Sequence, residues 1–566
     1  MPLLCRRRLW RAAAVVRRQS QASAAAASTR PTAAAAPAAA APARAAYSGA
    51  LPDFNDSAVA FKSKTIWSLL RADLVFSLCR IPVFVTNAES LLKFAYATLG
   101  QGVTNALLRH SYFGHFCAGE DANSIQPTVD YLQRNGIGSI LDYAAESDVE
   151  EASPLSVEQQ QQPQCRVYSY RDEELCDQHV ETFRRCIEAV KQVSPTGFAA
   201  VKITALGNPV LLQRMSEAVD ELRGLFLKFD KSQTGFVTKE QFIAGYGTFF
   251  SDVQGAEQLF SRLDNNGDGR VDYVDWSNSL PLEELHTLTS RCRSQGPLSR
   301  AVLDANELAL LARTRARVEE LAELAARLGV RLMIDAEHFK FQPAIDNITV
   351  TLAKKFNRGS NPPVIFSTYQ MYLRDSRRRL ETDMARAAAG GYTFAAKLVR
   401  GAYMVMERQQ AAELGRPDPV HATLQDTHDN YNTAVARVIE AVAKHQRQPQ
   451  LMPRTELMIA SHNQHSIELA LREMARHGLD PRTAGVYFGQ LLGMADHLTF
   501  SLGSANYKAY KYVPYGRVQE VMPYLVRRAQ ENSGMLGGAR LELSMVRSEL
   551  SRRLFPGVVA SNSTTR

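Results

Sequence analysis

The sequence predicts an α/β fold, a closed (β/α)8 barrel of the TIM type, and three observations carry that expectation. First, eight short apolar runs follow residue 130: GSILDY (138–143), FAAVKITAL (198–206), VRLMIDAE (330–337), PVIFSTYQ (363–370), FAAKLVRGAY (394–403), ELMIASHN (456–463), GVYFGQLLGM (485–494) and YKAYKYVPYG (507–516). They are unbroken Val/Ile/Leu-rich stretches rather than alternating ones, the pattern of parallel strands buried on both faces. Second, amphipathic helical stretches separate them, and eight strand–helix units close into a barrel. Third, no glycine-rich phosphate fingerprint follows the first run. That disfavours a doubly wound open sheet, the other way to arrange such units.

Taken from the N-terminus, residues 1–47 read as a mitochondrial transit peptide with an Ala-rich tail. Eight arginines (Arg6, Arg7, Arg8, Arg11, Arg17, Arg18, Arg30, Arg44) lie in the first 50 residues, with no lysine, and the first acid is Asp53. Arg-rich, acid-free, Ala/Ser-rich composition is the signature of such a leader, and the arginines break any apolar run that a secretory signal would need. Removing those eight charges from the formal +8 leaves the remainder near neutrality, so the basic balance gives no reason to expect nucleic acid as a partner. Residues 48–130 are expected to form a helical arm. Its apolar stretch Thr65–Leu108 is interrupted by Arg71, Arg80, Glu89 and Lys93, and no run of about eighteen apolar residues predicts a membrane-spanning helix. The segment reads as packed helices, with a membrane-surface role left open. The barrel then occupies 131–214 and 301–545, with an insert at 215–300 and a polar tail at 546–566. A polar loop, SVEQQQQPQ (156–164), follows the first strand. Seven scattered cysteines without a CxxC pair suit reduced thiols rather than a disulfide frame or zinc site.

Polar residues gather where the apolar runs end: Lys202, Asp335, Gln370, Arg400, Tyr403, His462, Gln490 and Tyr512. Barrel enzymes build their sites from the C-terminal strand ends. After the eighth run the strand stops at Pro514 and Gly516, and the helix that follows sets Tyr524, Arg527 and Arg528 at spacings i, i+3 and i+4, expected on one face. Two planar guanidinium forks beside a tyrosine suit a small carboxylate.

The insert carries its own pattern. Asp264, Asn266, Asp268, the Arg270 carbonyl and Asp272 occupy the oxygen-ligand positions of a twelve-residue EF-hand loop, with Gly269 at the sharp turn. The twelfth position is Asp275 rather than glutamate, which predicts weak binding of Ca2+ or Mg2+. An earlier loop, from Asp230 to Gln241, repeats the spacing with a single carboxylate among its aligned ligand positions and is expected to be a structural partner.

The segments VKITAL, MIDAE, STYQ, KLVRGAY, ASHN, FGQLLGM, YKYVPYG and YLVRRAQEN occur in an order and spacing that resembles the proline dehydrogenase family, over residues 110–214 and 301–545. The leader and the EF-hand-like insert are similar to those of mitochondrial eukaryotic members. The resemblance implies an FAD-dependent barrel that oxidises L-proline to Δ1-pyrroline-5-carboxylate. Electrons would pass to membrane quinone, with the protein peripheral on the matrix side of the inner mitochondrial membrane. It implies that Arg527 and Arg528 hold the substrate carboxylate, with Lys202 a third cation that Asp335 pairs and holds in place. Tyr403, Leu491, Tyr512 and Tyr524 would wall the pyrrolidine ring. Gln370, Lys397, Arg400 and His462 would contact the flavin, and Glu531 and Glu146 would pair the arginines. Hydroxyproline dehydrogenase shares the scaffold. The position of Tyr512 is tyrosine in proline enzymes and serine in hydroxyproline ones, whereas RRAQEN resembles the hydroxyproline branch, so both substrates stay open. The non-enzymatic alternative is a calcium-responsive scaffold, which bound flavin bleached by proline would exclude.

Overall fold

The computed structural model describes residues 51–143, 170–194, 196–252, 254–359, 361–413, 415–534 and 538–555. The expected leader, the polar loop at 156–164, Glu146 and the end of the tail lie outside the described residues.

The described residues form ten strands: β1 (Ile137–Tyr143), β2 (Phe198–Val201), β3 (Phe236–Thr238), β4 (Arg270–Asp272), β5 (Arg331–Ile334), β6 (Ile365–Gln370), β7 (Phe394–Val399), β8 (Thr455–Ala460), β9 (Val486–Leu491) and β10 (Ala509–Tyr515). Eight of them close a barrel in the order β1-β2-β5-β6-β7-β8-β9-β10, with β10 returning to β1. All eight barrel pairings are parallel. Each expected apolar run supplies one barrel strand. The closing seam is long: Ile137 stands opposite Ala509 and the register holds through Tyr143 opposite Tyr515.

Side chains fill the N-terminal half of the barrel. Phe198 sits edge to face against Phe366 and Tyr510, each at 5.2 Å between centroids, and against Tyr487 at 5.6 Å. Gly138 makes room for this plug, since a Cβ there would fall 2.3 Å from the Tyr510 ring. A packed lower half leaves the C-terminal mouth as the place for chemistry.

Four expected boundaries fall inside helices: residues 130, 214, 300 and 545 lie in Gln126–Arg134, Pro209–Phe229, Pro297–Ala301 and Gly538–Leu554. The last runs well into the expected tail and packs against the arm helix Ile66–Cys79. Phe61, Leu69 and Phe76 meet Leu543, Val546 and Leu550 there. Arg547 Nε bonds Asp73 at 2.6 Å, and Arg553 Nη2 donates to the Phe61 carbonyl at 2.7 Å. Among the described residues no helix is long and apolar enough to cross a membrane.

A buried charge cluster fastens this clasp to the barrel. Asp496 takes Lys64 of the arm on one carboxylate oxygen at 2.5 Å and Lys511 of β10 on the other at 2.7 Å. Lys511 also donates to the carbonyls of Leu491 (3.1 Å) and Met494 (2.6 Å). Glu542, on the C-terminal helix, accepts from the backbone N–H groups of Ala495 and Asp496, each at 2.7 Å. Burial alone would raise the Asp496 carboxyl, but the two ammoniums overcome it and hold the group well below the usual carboxylate range. Burial, with the Asp496 charge beside it, pushes Glu542 up to about 7.

In the insert, β3 and β4 pair antiparallel, with Val237 opposite Val271, and link two helix–loop–helix units. Phe229, Phe242, Phe260 and Trp276 pack their rings between the helices. Trp276 Nε1 donates to the Leu222 carbonyl at 3.1 Å, which ties the insert to the helix it shares with the barrel.

Candidate active site

The strand ends bring a charged network to the barrel mouth. Asp335 follows β5, and its backbone N–H continues the ladder by donating to the Val201 carbonyl at 2.9 Å. One oxygen of its carboxylate takes the Lys397 ammonium from β7; the other accepts from the Tyr512 hydroxyl of β10 at 3.0 Å. The Lys397 ammonium lies 5.7 Å from the centre of the Tyr512 ring. Burial, with Asp142 and Asp335 adding negative charge, drives the Tyr512 hydroxyl well above its ordinary value. It therefore stays a neutral donor.

The expected pairing of Asp335 with Lys202 is corrected. The Lys202 ammonium, at the end of β2, stands 3.8 Å from Asp142 on β1, while Asp335 is bonded by Lys397 and Tyr512. Two inward lysines reach the mouth from different strands, and spacing along the chain does not say which is nearer. Asp142 and Glu337 are site carboxylates that the sequence reading missed. Asp142 is 2 % exposed. Glu337 accepts from the Thr204 N–H at 3.1 Å and also bonds the Thr204 hydroxyl. It locks the end of β2 against the end of β5, and burial raises its carboxyl despite those bonds and nearby Lys202. Both acids stood at the ends of apolar runs, the one signal that could have found them.

The helix Met522–Gly534 closes over the mouth. Tyr524 and Arg528 share its buried face, with the guanidinium carbon 4.9 Å from the ring centre. Arg527 is exposed, so the three do not share one face. Arg528 Nη2 pairs with Glu531 at 2.8 Å. Its buried Nε has no hydrogen-bond partner among the described residues, and neither has the buried Tyr524 hydroxyl. Two such atoms one helical turn apart are costly unless a ligand satisfies them. Tyr524 packs with Met494, Phe113 and Phe116, and with the partly buried Leu491.

Across the mouth, Gln370 Nε2 donates to the Glu337 carbonyl at 3.0 Å, while its buried Oε1 is unpartnered among the described residues. Arg400 is held by His428 Nδ1 (3.0 Å) and by the hydroxyls of Ser461 (2.8 Å) and Ser466 (2.9 Å), over the Tyr431 ring at 4.4 Å. These partners are neutral, so they hold the guanidinium in place without cancelling its charge. His462 Nε2 accepts from the Leu491 N–H at 3.1 Å, which puts any ring proton on Nδ1. Burial, with Lys511 and Arg528 adding positive charge, lowers it to about 3. Tyr403 is half-buried, its ring 6.2 Å from that of His338, whose buried Nε2 is also unpartnered among the described residues. Gln490 is a core group, bonded to the Ser461 carbonyl and the Thr499 hydroxyl.

The positions expected to hold a cation behave differently. Among the described residues no three His, Cys, Asp or Glu side chains converge to hold a metal ion. Asp264 accepts from the N–H groups of Asp268 and Gly269, Asn266 from that of Asp268, and Asp268 from that of Arg270. Asp272 and Asp275 cap the next helix reciprocally. Burial and crowding by Asp272, Asp268 and Asp264 push Asp275 up to about 6. A separate cavity of about 490 Å³ opens at the opposite end of the barrel, beside Thr196, Asn506 and Tyr510. None of the candidate site residues lines it.

Residues 125–540 match the family model described as proline dehydrogenase. The chain is 36% identical over 555 residues to "Proline dehydrogenase 1, mitochondrial" of Homo sapiens, covering 89% of this chain and 90% of that one. For the protein of the same name from Bos taurus the figures are 37% over 554 residues, with 89% of each chain covered. Hydroxyproline dehydrogenase of Xenopus laevis is 30% identical over 513 residues, covering 91% of this chain and 92% of that one. Among solved structures, proline utilization A from Bdellovibrio bacteriovorus aligns with a TM-score of 0.50 at 14% identity. That alignment covers 86% of this chain and 40% of the longer protein, and it bears on the fold alone.

Proposed function

The chain belongs to the proline dehydrogenase family and oxidises proline in proline catabolism as an FAD-dependent oxidoreductase; we propose that its substrate clamp is centred on Arg528 and Tyr524. The observation that carries this reading is the buried Arg528, stacked on Tyr524, with its Nε left without a partner among the described residues. Arg528 would bind the substrate carboxylate, with the exposed Arg527 at the rim and Lys202 on the opposite wall. Glu531 orients Arg528, and Asp142 orients Lys202. Leu491, Tyr403, Tyr512 and Tyr524 enclose the ring.

The residues present fit the cofactor. Gln370 offers a buried acceptor, and Arg400 offers a cation held only by neutral groups, as an anionic moiety requires. Lys397 and His462 complete that wall. FAD, when bound, supplies the acceptor for the hydride that leaves the carbon beside the ring nitrogen. The protein's task is to fix the carboxylate, aim that carbon and exclude water. The ring nitrogen must be unprotonated at transfer, and the positive charge of Lys202 and Arg528 in an enclosed pocket lowers its pKa. No residue is assigned as an obligatory base.

Tyr512 is the proposed selector of proline over hydroxyproline. Its ring is fixed by the bond to Asp335, so it cannot swing aside for a ring hydroxyl. Tyr512→Ser should raise the hydroxyproline-to-proline ratio of kcat/KM by about tenfold or more, one or two kcal/mol of pocket discrimination. Tyr512→Phe, which keeps the ring but loses the bond to Asp335, should raise the ratio less than the serine variant does. Steady-state kinetics with both substrates decide, and an unchanged ratio in the serine variant removes Tyr512 from this role.

The proline dehydrogenase 1 relatives are named as mitochondrial proteins, and this one is mitochondrial too. Membrane quinone is the proposed electron acceptor, and the matrix face of the inner membrane the proposed location. The insert is read as an EF-hand-like pair whose second loop takes Ca2+ or Mg2+ weakly. An ion there would share the Asp264 and Asp268 carboxylates with the backbone N–H groups they already accept from. Titration calorimetry of the whole protein with each ion should give heat that Asp264→Ala abolishes; no heat with either ion ends the cation reading.

A further inference from the structure

The helix Ala88–His110 is broken at Gly100, where φ is 76° and ψ 167°. The chain folds back on itself there. Thr104 Oγ1 donates to the Ala95 carbonyl at 3.1 Å, and the Tyr96 hydroxyl donates to Asn105 Oδ1 at 2.8 Å. Residues nine apart would be about 13 Å apart along a straight helix, so these bonds require two short antiparallel arms. The positive φ is one that glycine adopts without strain.

The hairpin is apolar and open to solvent. Phe94 is 67% exposed, Leu99 51%, Val103 54% and Leu107 57%. The fifteen residues from Phe94 to Leu108 contain no charge, while Lys93 stands at one root and Arg109 and His110 at the other. Of the twenty-four large apolar residues that are exposed among the described ones, fourteen lie between Leu51 and Leu107. That concentration marks a binding face rather than the scattered exposure normal on a soluble surface.

We propose that this hairpin inserts into one leaflet of a phospholipid membrane, with Lys93, Arg109 and His110 at anionic headgroups. The inference rests on the reading that the protein is peripheral on a membrane and names the segment that holds it there. Each arm rises about 10 Å from root to tip at 1.5 Å per residue, the depth at which interfacial helices bury their apolar face. Charge favours lipid over a second copy of the chain. Counting Glu120, which pairs Arg109, the fixed charges from Arg80 to Glu120 are Arg80, Lys93 and Arg109 against Glu89 and Glu120, a net positive charge that a second copy would bring as well. Arg109 also pairs with Glu120 at 2.5 Å, which braces the root. Ser111 then leads into the helix Tyr112–Phe116, whose Phe113 and Phe116 pack with Tyr524. Docking through the hairpin thus holds the barrel mouth close to the lipid, where an apolar electron acceptor dissolves.

The test uses the purified full chain with vesicles of phosphatidylcholine, with and without cardiolipin, read by co-sedimentation. The parent protein should bind the cardiolipin vesicles more tightly. Combined Phe94→Ser, Leu99→Ser and Val103→Ser should weaken binding by about a hundredfold or more. Proline oxidation with a soluble dye acceptor should not change. A single Leu99→Trp substitution, which threatens folding least, should give emission that shifts to the blue on vesicles and is quenched by brominated lipid. Equal binding by the parent and the triple variant, or no quenching, overturns the hairpin while leaving the peripheral reading intact. Failure of the parent to bind any vesicle defeats both. Self-association of the parent without vesicles, lost in the triple variant, would assign the face to a second copy and overturn the proposal.

Discussion

Arg528→Met should lower kcat/KM for proline by about thirty- to a thousandfold, the loss of about 2–4 kcal/mol of charge-assisted bonding. Methionine keeps much of the bulk that rests on Tyr524, so the effect isolates the guanidinium. The loss should fall mainly on KM, because the carboxylate is held alike before and during transfer. Arg528→Lys should recover little, since an ammonium cannot reproduce the planar fork. Arg527→Met should cost less, because Arg527 is exposed where Arg528 is buried. Flavin content measured from absorbance separates lost substrate binding from a lost cofactor. If Arg528→Met stays within about threefold of the parent, the clamp does not lie on this residue.

Asp496→Asn should destabilise the fold by about 3–5 kcal/mol, because it leaves two buried ammoniums without their shared counter-ion. Lys64 and Lys511 both depend on that carboxylate. Asparagine is nearly isosteric, so the loss comes from charge and not from a cavity. Urea unfolding gives the size of the effect, and proteolysis should begin in the arm around Lys64. Adding Lys64→Met to Asp496→Asn should restore part of the stability, since one unpaired charge is then gone. No loss in Asp496→Asn would mean that the cluster is neutral to stability. Because Lys511 also holds the carbonyls of Leu491 and Met494, weaker proline binding should accompany the unfolding effect.

The barrel was legible in the sequence because burial on both faces leaves an unbroken apolar run, and each of the eight runs is a strand. The strand-end polar residues were legible for the same reason, as the first polar positions beyond buried stretches. Partner choice was not. Lys397 and Tyr512 reach Asp335 across the mouth from strands 62 and 177 residues away, and no local spacing encodes such a meeting. The face of the last helix was half legible. At 3.6 residues per turn, i+3 lies about 60° to one side of Tyr524 and i+4 about 40° to the other, and a narrow buried stripe admits Arg528 and leaves Arg527 outside. The helix Gly538–Leu554 was missed because its polar composition reads as a tail. Its apolar positions make sense only beside the arm, more than 450 residues earlier.

That clasp also sets the order in which the protein can be finished. Lys64 emerges early in synthesis, yet its counter-ion Asp496 and the helix that packs beside it come from the last seventh of the chain. Contacts so distant in sequence form only after the intervening loop has closed. A chain made from the N-terminus therefore carries the arm with its apolar faces uncovered until the C-terminus has followed. The arm is among the first parts made and among the last to be secured, which leaves its apolar surface open to wrong contacts while the rest of the chain follows.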